Sequence, residues 1–189
     1  MTPPTALAPA RRVARARSPE RPAPARDRHP LRDVLAAVPT PVVFIGAVGP
    51  DGPTGMVAGS FVGLSLEPPL AAVAFQRTSS TWPVLRAAGR LGVSVLAAPH
   101  ADRVRTLAGP ARHRLDGSDH RIDGGAVLLE DAAAHLVARV NRIDDAGDHD
   151  LAILEVLGAD VVDPAALPLV FHSSRVSVHG AAEPGEGAR

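Results

Sequence analysis

Apolar positions come along this chain in short bursts, and the spacing inside each burst separates strands from helices. VVFIGAV (Val42 to Val48) and LAAVAF (Leu70 to Phe75) are continuous apolar runs of strand length, and LGVSVLA (Leu91 to Ala97) sets Val93 and Val95 on one side. AHLVARVNRI and HDLAILEVLGADVV are β-like runs separated by DDAGD, which predicts a hairpin. PLVFHSSRVSV (Pro168 to Val178) reads as one last strand. Helical spacing is rarer. PLRDVLAAV places Leu31, Val34, Leu35 and Val38 on one face, and His100 to Ala108 turns Val104 and Leu107 inward. TSSTWPVLRAAG has a capping hydroxyl in Ser79 or Ser80, Pro83 in its first turn and Gly89 at its end. Pro110 to Gly125 is polar and reads as irregular. About seven strands with hairpin-length links predict a mainly β antiparallel barrel with peripheral helices, not a parallel sheet.

One burst is unlike the others. GMVAGSFVGLSLEPPL (Gly55 to Leu70) reads as a strand stripped of bulk at Gly55, Ala58, Gly59, Ser60, Gly63 and Ser65, entered through the turn GPDGP and ended by Glu67-Pro68-Pro69. Glycine inside a strand marks close approach by a ligand or by another backbone.

Composition narrows the chemistry. The 189 residues contain no cysteine and no tyrosine, and every basic side chain apart from histidine is arginine. Thiolate metal sites, disulfides, Schiff-base lysines and phenolic acids are therefore excluded. A formal net charge of zero argues against nucleic acid as a partner. Residues 1–28 hold seven arginines and six prolines with few large apolar residues, so a disordered Arg/Pro/Ala-rich tail is expected there. Residues 29–179 form the expected domain, and a flexible segment is expected over 180–189. No segment approaches the ~20 apolar residues of a bilayer span, so no membrane partner is expected.

Three constellations could carry chemistry. Gly46, Gly49 and Gly52 lack the order of a dinucleotide fingerprint and lead into a strand, so they read as a hairpin turn. His113, Asp116, Asp119, His120 and His149 lack metal-ligand spacing and read as solvated loop residues, with no metal expected. RTSST (Arg77 to Thr81) joins a guanidinium to a run of hydroxyls before a helix start, a combination suited to holding phosphate. Helix capping is the competing reading, although capping needs only one hydroxyl.

GMVAGSFVGLSLEPPLAAVAFQRTSST, followed by LGVSVLA, AGDHDLAILEV and PLVFHSSR, resembles the flavin reductase-like family over about Leu31 to Val178. The resemblance implies a split antiparallel β-barrel of the FMN-binding type, a cytoplasmic homodimer, and hydride transfer from NADH or NADPH to FMN or FAD. Reduced flavin would then diffuse to a partner monooxygenase. By position, Met56, Val57, Ala58, Gly59, Ser60, Val62 and Gly63 would line the isoalloxazine and ribityl part. Phe75, Gln76, Arg77, Thr78, Ser79, Ser80, Thr81 and Trp82 would hold the phosphate end. His149 would position the nicotinamide, helped by the segment Phe171 to Arg175, with His172, Ser173, Ser174 and Arg175. The chain departs from the family in having Val57 for a common threonine, Gly59 for a serine, Ser94 for an asparagine and Ser174 for a glycine. A lost Val57 hydroxyl removes a contact worth ~1 kcal/mol, which suits a flavin that is released. A flavoprotein that retains FMN for an organic substrate, or a non-catalytic flavin-binding module, are the alternatives.

Overall fold

The apolar bursts pair with one another, antiparallel throughout, in a computed structural model that describes residues 30–180. In chain order the elements are α1 (Pro30–Ala36), β1 (Thr40–Pro41), β2 (Val43–Gly49), β3 (Gly52–Ala58), β4 (Val62–Leu66), β5 (Pro69–Gln76), α2 (Trp82–Ala87), β6 (Leu91–Val95), α3 (Val104–Leu107), β7 (His120–Asp123), β8 (Ala126–Leu129), β9 (Ala134–Ala146), β10 (His149–Val161), β11 (Leu169–His172) and β12 (Arg175–Val178). Short 3-10 turns cover Ala98–Arg103 and Ala111–His113.

Hydrogen bonding runs β3-β2-β6-β9-β10-β5-β4. The far half of β2 pairs with β8, which in turn pairs with β7, and β1, β11 and β12 form a separate small sheet. β3 and β4 are the two unpaired ends, joined by residues 59–61. The barrel is split between them.

Period-two alternation gives β2 two buried faces. Val43, Ile45 and Ala47 enter the barrel interior with Val73, Phe75, Trp82 and Leu154. Val42 and Phe44 pack outside it with Leu96, Leu107, Val127 and Leu169. Two cores share one strand.

Four expectations are corrected. Gly55 to Leu70 is two strands, because at Gly59 the chain leaves β2 and crosses to β5. The stretch expected to be irregular contains β7, and the four-residue β8 that follows it, buried throughout, gives no alternation to read. The final apolar run is a hairpin, since Ser173 and Ser174 take φ of 49° and 62° and reverse the chain. The helix near the start of the domain forms, but its apolar face is exposed at Leu31, Val34 and Leu35. The tail expected over 1–28, and all but Gly180 of the segment expected over 180–189, lie outside the described residues. Among the described residues no helix is long and apolar enough to cross a membrane.

Candidate functional site

The open edge of β3 is fixed by its turn. Gly49 and Gly52 are opposite one another across a two-residue loop, so theirs is a hydrogen-bonded pair, and every second pair after it is too. Thr54, Met56 and Ala58 therefore bond to β2, while Pro53, Gly55 and Val57 turn their main-chain groups away from it. Two observations agree. Val48 on β2 donates its N–H to Gly125 on the opposite side, at 2.8 Å. Pro53, which has no N–H, occupies an outward position where none is needed.

The glycines in and around this strand have different neighbours. A Cβ on Gly55 would run into the Phe44 ring, and one on Gly46 would lie 2.7 Å from Phe44 Cε1. The close approach at Gly55 is thus internal. At Gly59 an added Cβ would meet Thr40 Oγ1 at 3.0 Å, and at Gly63 it would meet nothing within 4 Å.

Beside the outward edge lies a cavity of about 740 Å³. Val57, Ala58, Gly59 and Ser60 line it as one continuous stretch, and Val104, Phe171 and Ser174 contribute from other parts of the chain. Its lining is mostly apolar, and Arg32 is its one charged residue. Val62 and Gly63 lie beyond it on β4, where Val62 is exposed. Ser60 Oγ donates to the Ala74 carbonyl at 3.0 Å and accepts from the Ala74 N–H at 3.1 Å, extending the β4–β5 ladder by one rung.

The segment from Phe75 to Trp82 sits at the other end of β3. Phe75 and Trp82 stack at 4.1 Å with a 5° interplanar angle, both buried, so they support the segment from beneath and offer a ligand almost no surface. Ser79 Oγ accepts from the Trp82 N–H at 3.2 Å and lies 3.8 Å from Met56 Sδ. Gln76, Thr78 and Ser80 are exposed. Arg77 is held by two carboxylates, Nη2 by Asp145 at 2.7 Å and Nε by Asp150 at 2.8 Å. These bonds raise its pKa, Asp145 contributing most. Asp150 also accepts from Trp82 Nε1 at 2.9 Å, and that bond, then Arg77, holds its carboxyl below the usual range.

This network ties the β9–β10 tip to β5, together with the Arg77 N–H, which donates to Asp148 O at 3.1 Å. His149 stands on that tip, with Nδ1 2.7 Å from Asp148 Oδ1. The tip of the C-terminal hairpin goes elsewhere. Ser173 donates its N–H to Ala36 O at 2.7 Å, placing His172, Ser173, Ser174 and Arg175 beside α1 and the apolar cavity. The chain thus gathers Val57 to Ser60 with Ser174, and Arg77 to Trp82 with His149, as two groups joined by β3.

Arg114 was not singled out from the sequence. It donates Nη1 to Gly55 O at 2.7 Å and to Thr81 Oγ1 at 2.9 Å, and Nε to Gly109 O at 2.7 Å. Within RHRLDG nothing distinguishes it from Arg112, because two of its three partners, the Gly55 carbonyl and the Thr81 hydroxyl, come from distant parts of the chain.

Residues 35–179 match the profile of the flavin reductase like domain. The chain is 35% identical over 153 residues to the actinorhodin polyketide dimerase of Streptomyces coelicolor, covering 80% of this chain and 86% of that one. It is 32% identical over 150 residues to the flavin-dependent monooxygenase reductase subunit HsaB of Mycobacterium tuberculosis, covering 77% and 79%. The solved NADH:FAD oxidoreductase of Streptomyces globisporus C-1027, in complex with NAD and FAD fragments, superimposes with a TM-score of 0.73 at 31% identity, covering 83% and 93%.

Proposed function

The chain belongs to the flavin reductase-like family, and from that premise we propose that it is an NAD(P)H:flavin oxidoreductase that reduces FMN or FAD for use by a monooxygenase. The observation that carries the reading is the outward main chain of β3 at Val57, lying against a cavity whose wall is bare at Gly59. A planar heteroaromatic ring needs such a surface, with an apolar face for the ring and unpaired N–H and C=O groups for its polar edge. The volume of about 740 Å³ lies within the range of cofactor sites. A flavin held there would supply the hydride-accepting chemistry, with the reduced nicotinamide as donor, so the chain itself would need no nucleophile or acid.

The residues' part is to bind, orient and exclude water. Met56, Val57, Ala58, Gly59 and Ser60, with Val62 and Gly63, serve the ring and ribityl end. Within the segment Phe75 to Trp82, the hydroxyl run Thr78 to Thr81 serves the phosphate end. The nicotinamide is oriented by His149 from the latched hairpin and by the tip at His172 to Arg175. Two copies of the chain form the working unit, a reading supported by the exposed apolar side chains of α1 and β4.

The test is loss of reduced-nicotinamide absorbance with purified protein. Oxidation is expected only when FMN or FAD is added. No oxidation with either flavin and either nicotinamide would overturn the reading. The dimerase relative and the apolar cavity favour one alternative, a retained FMN acting on an organic substrate. Flavin absorbance that survives desalting would support it.

A further inference from the structure

Phosphate recognition needs a cation whose charge is not already neutralised, and the two arginines nearest the hydroxyl run differ in this respect. Arg77 has a carboxylate on Nε and another on Nη2. An approaching phosphate would meet one positive and two negative groups there. Arg114 forms no ion pair among the described residues, and its three hydrogen bonds go to two carbonyls and a hydroxyl. Its Nη2 has no protein partner among those residues, nor is it sealed from solvent. Partial burial lowers its pKa, with no carboxylate opposing the effect.

The surroundings suit an anion. Thr81, whose hydroxyl Arg114 holds, lines a depression of about 440 Å³ together with Thr54, Ser80, Arg112 and Leu115, and Arg114 stands just behind that lining. Asp51 is the one carboxylate in that lining. Arg112 is exposed, and its Nε donates to His113 Nε2 at 2.9 Å while His113 Nδ1 pairs with Asp116, leaving both Arg112 Nη groups without a protein partner among the described residues. The site also lies at a suitable reach. From Gly55, where Arg114 is anchored, to Ala58 in the cavity wall is three residues of strand, about 10 Å. An extended ribityl chain ending in phosphate covers a comparable distance.

We infer that Arg114, assisted by Arg112 and the Ser80 and Thr81 hydroxyls, is the guanidinium that binds the phosphate of the flavin, and that Arg77 instead latches the hairpin carrying His149. The inference rests on the flavin reading above and deepens it. Arg114 has two roles in it. Through Nε and Nη1 it fixes the spacing between the bare strand and the hydroxyl loop, and through Nη2 it meets the ligand.

Riboflavin has the same ring and ribityl chain as FMN and lacks the phosphate, so the pair separates these roles. Both dissociation constants are measured by flavin fluorescence on the full chain and on Arg114→Met and Arg77→Met. Arg114→Met is expected to raise the FMN constant about tenfold or more, as for a lost charged hydrogen bond, and to shift riboflavin much less. Arg77→Met is expected to change both flavins by the same factor. Inorganic phosphate should compete with FMN on the unaltered chain and not with riboflavin. Equal weakening of both flavins by Arg114→Met would reduce Arg114 to a structural clamp, and selective loss of FMN in Arg77→Met would return the phosphate to Arg77. Either result overturns the inference. Should Arg114→Met fail to fold by circular dichroism, Arg114→Lys is read by the same ratio, since it keeps one donor for Gly55 and removes the free arm. Folded, unaltered protein that binds neither FMN nor riboflavin would sink the flavin reading itself, and this inference with it.

Discussion

Gly55 shows how a residue identified correctly can have an unexpected neighbour. Its missing side chain signals close approach, but what approaches is the ring of Phe44, brought there by the β2–β3 register. No local pattern contains that register. Gly55→Ala is therefore expected to cost about 1–3 kcal/mol in denaturant unfolding, as for an overpacked core. Gly63→Ala, with open space around it, should stay within about 0.5 kcal/mol. Buried His100 supplies a second test at this scale. Its Nδ1 accepts from the Ala97 N–H, so its proton is on Nε2 and is donated to Glu130 O at 3.0 Å. Burial pushes its pKa below the ordinary value, so the neutral ring is the folded form. The unfolded chain takes up a proton near pH ~6.5 while the folded one does not. Stability from His100 is thus complete above that pH and declines as pH falls toward the lowered folded value. Unfolding free energy should drop between about pH 7.5 and about pH 5.5, and His100→Gln should flatten the slope even though it lowers the whole curve.

At the scale of elements, the long hairpin was legible because two β-like runs flank the turn DDAGD, and they become β9 and β10 of thirteen residues each. What ties its tip was not. The latch joins Arg77, Trp82, Asp145 and Asp150 from two distant parts of the chain, and the sequence shows only an arginine near hydroxyls. The split between β3 and β4 was hidden for a similar reason, since a chain that changes partner strands in mid-run leaves no break in hydropathy. Asp145, held low chiefly by Arg77, and Asp150, held low chiefly by Trp82, stay ionised throughout the range above the usual carboxylate values. The latch therefore loosens only as pH falls below that range, through their lowered values. Asp150→Asn should loosen it at neutral pH. Hydrogen exchange of the Arg77 amide, which donates to Asp148 O, is expected to speed up, while the β2–β6 amides keep their protection. Unchanged exchange at Arg77 would mean that backbone pairing alone holds the tip.

For the molecule as a whole, the barrel and its small-residue edge could be read from the chain, while the surfaces left uncovered could not. Leu66 is 96% exposed at the end of β4 and Val34 is 64% exposed on α1, which a monomer in water has no reason to prefer. Covering apolar area stabilises an assembly by about 25 cal/mol per Å², before the cost of association. Sedimentation should then give twice the 19.5 kDa of one chain. Leu66→Asp or Val34→Asp should shift the species toward that single mass. The site sharpens the expectation. His149 and the tip at Ser174 lie in separate groups within one chain, and a second copy is the simplest means of bringing such groups to one nicotinamide. If so, activity per chain will fall on dilution through the dimer dissociation range and return on concentration. The two aspartate variants will need more protein to reach the same rate. Activity per chain that stays constant while the mass halves would leave the complete site within one copy.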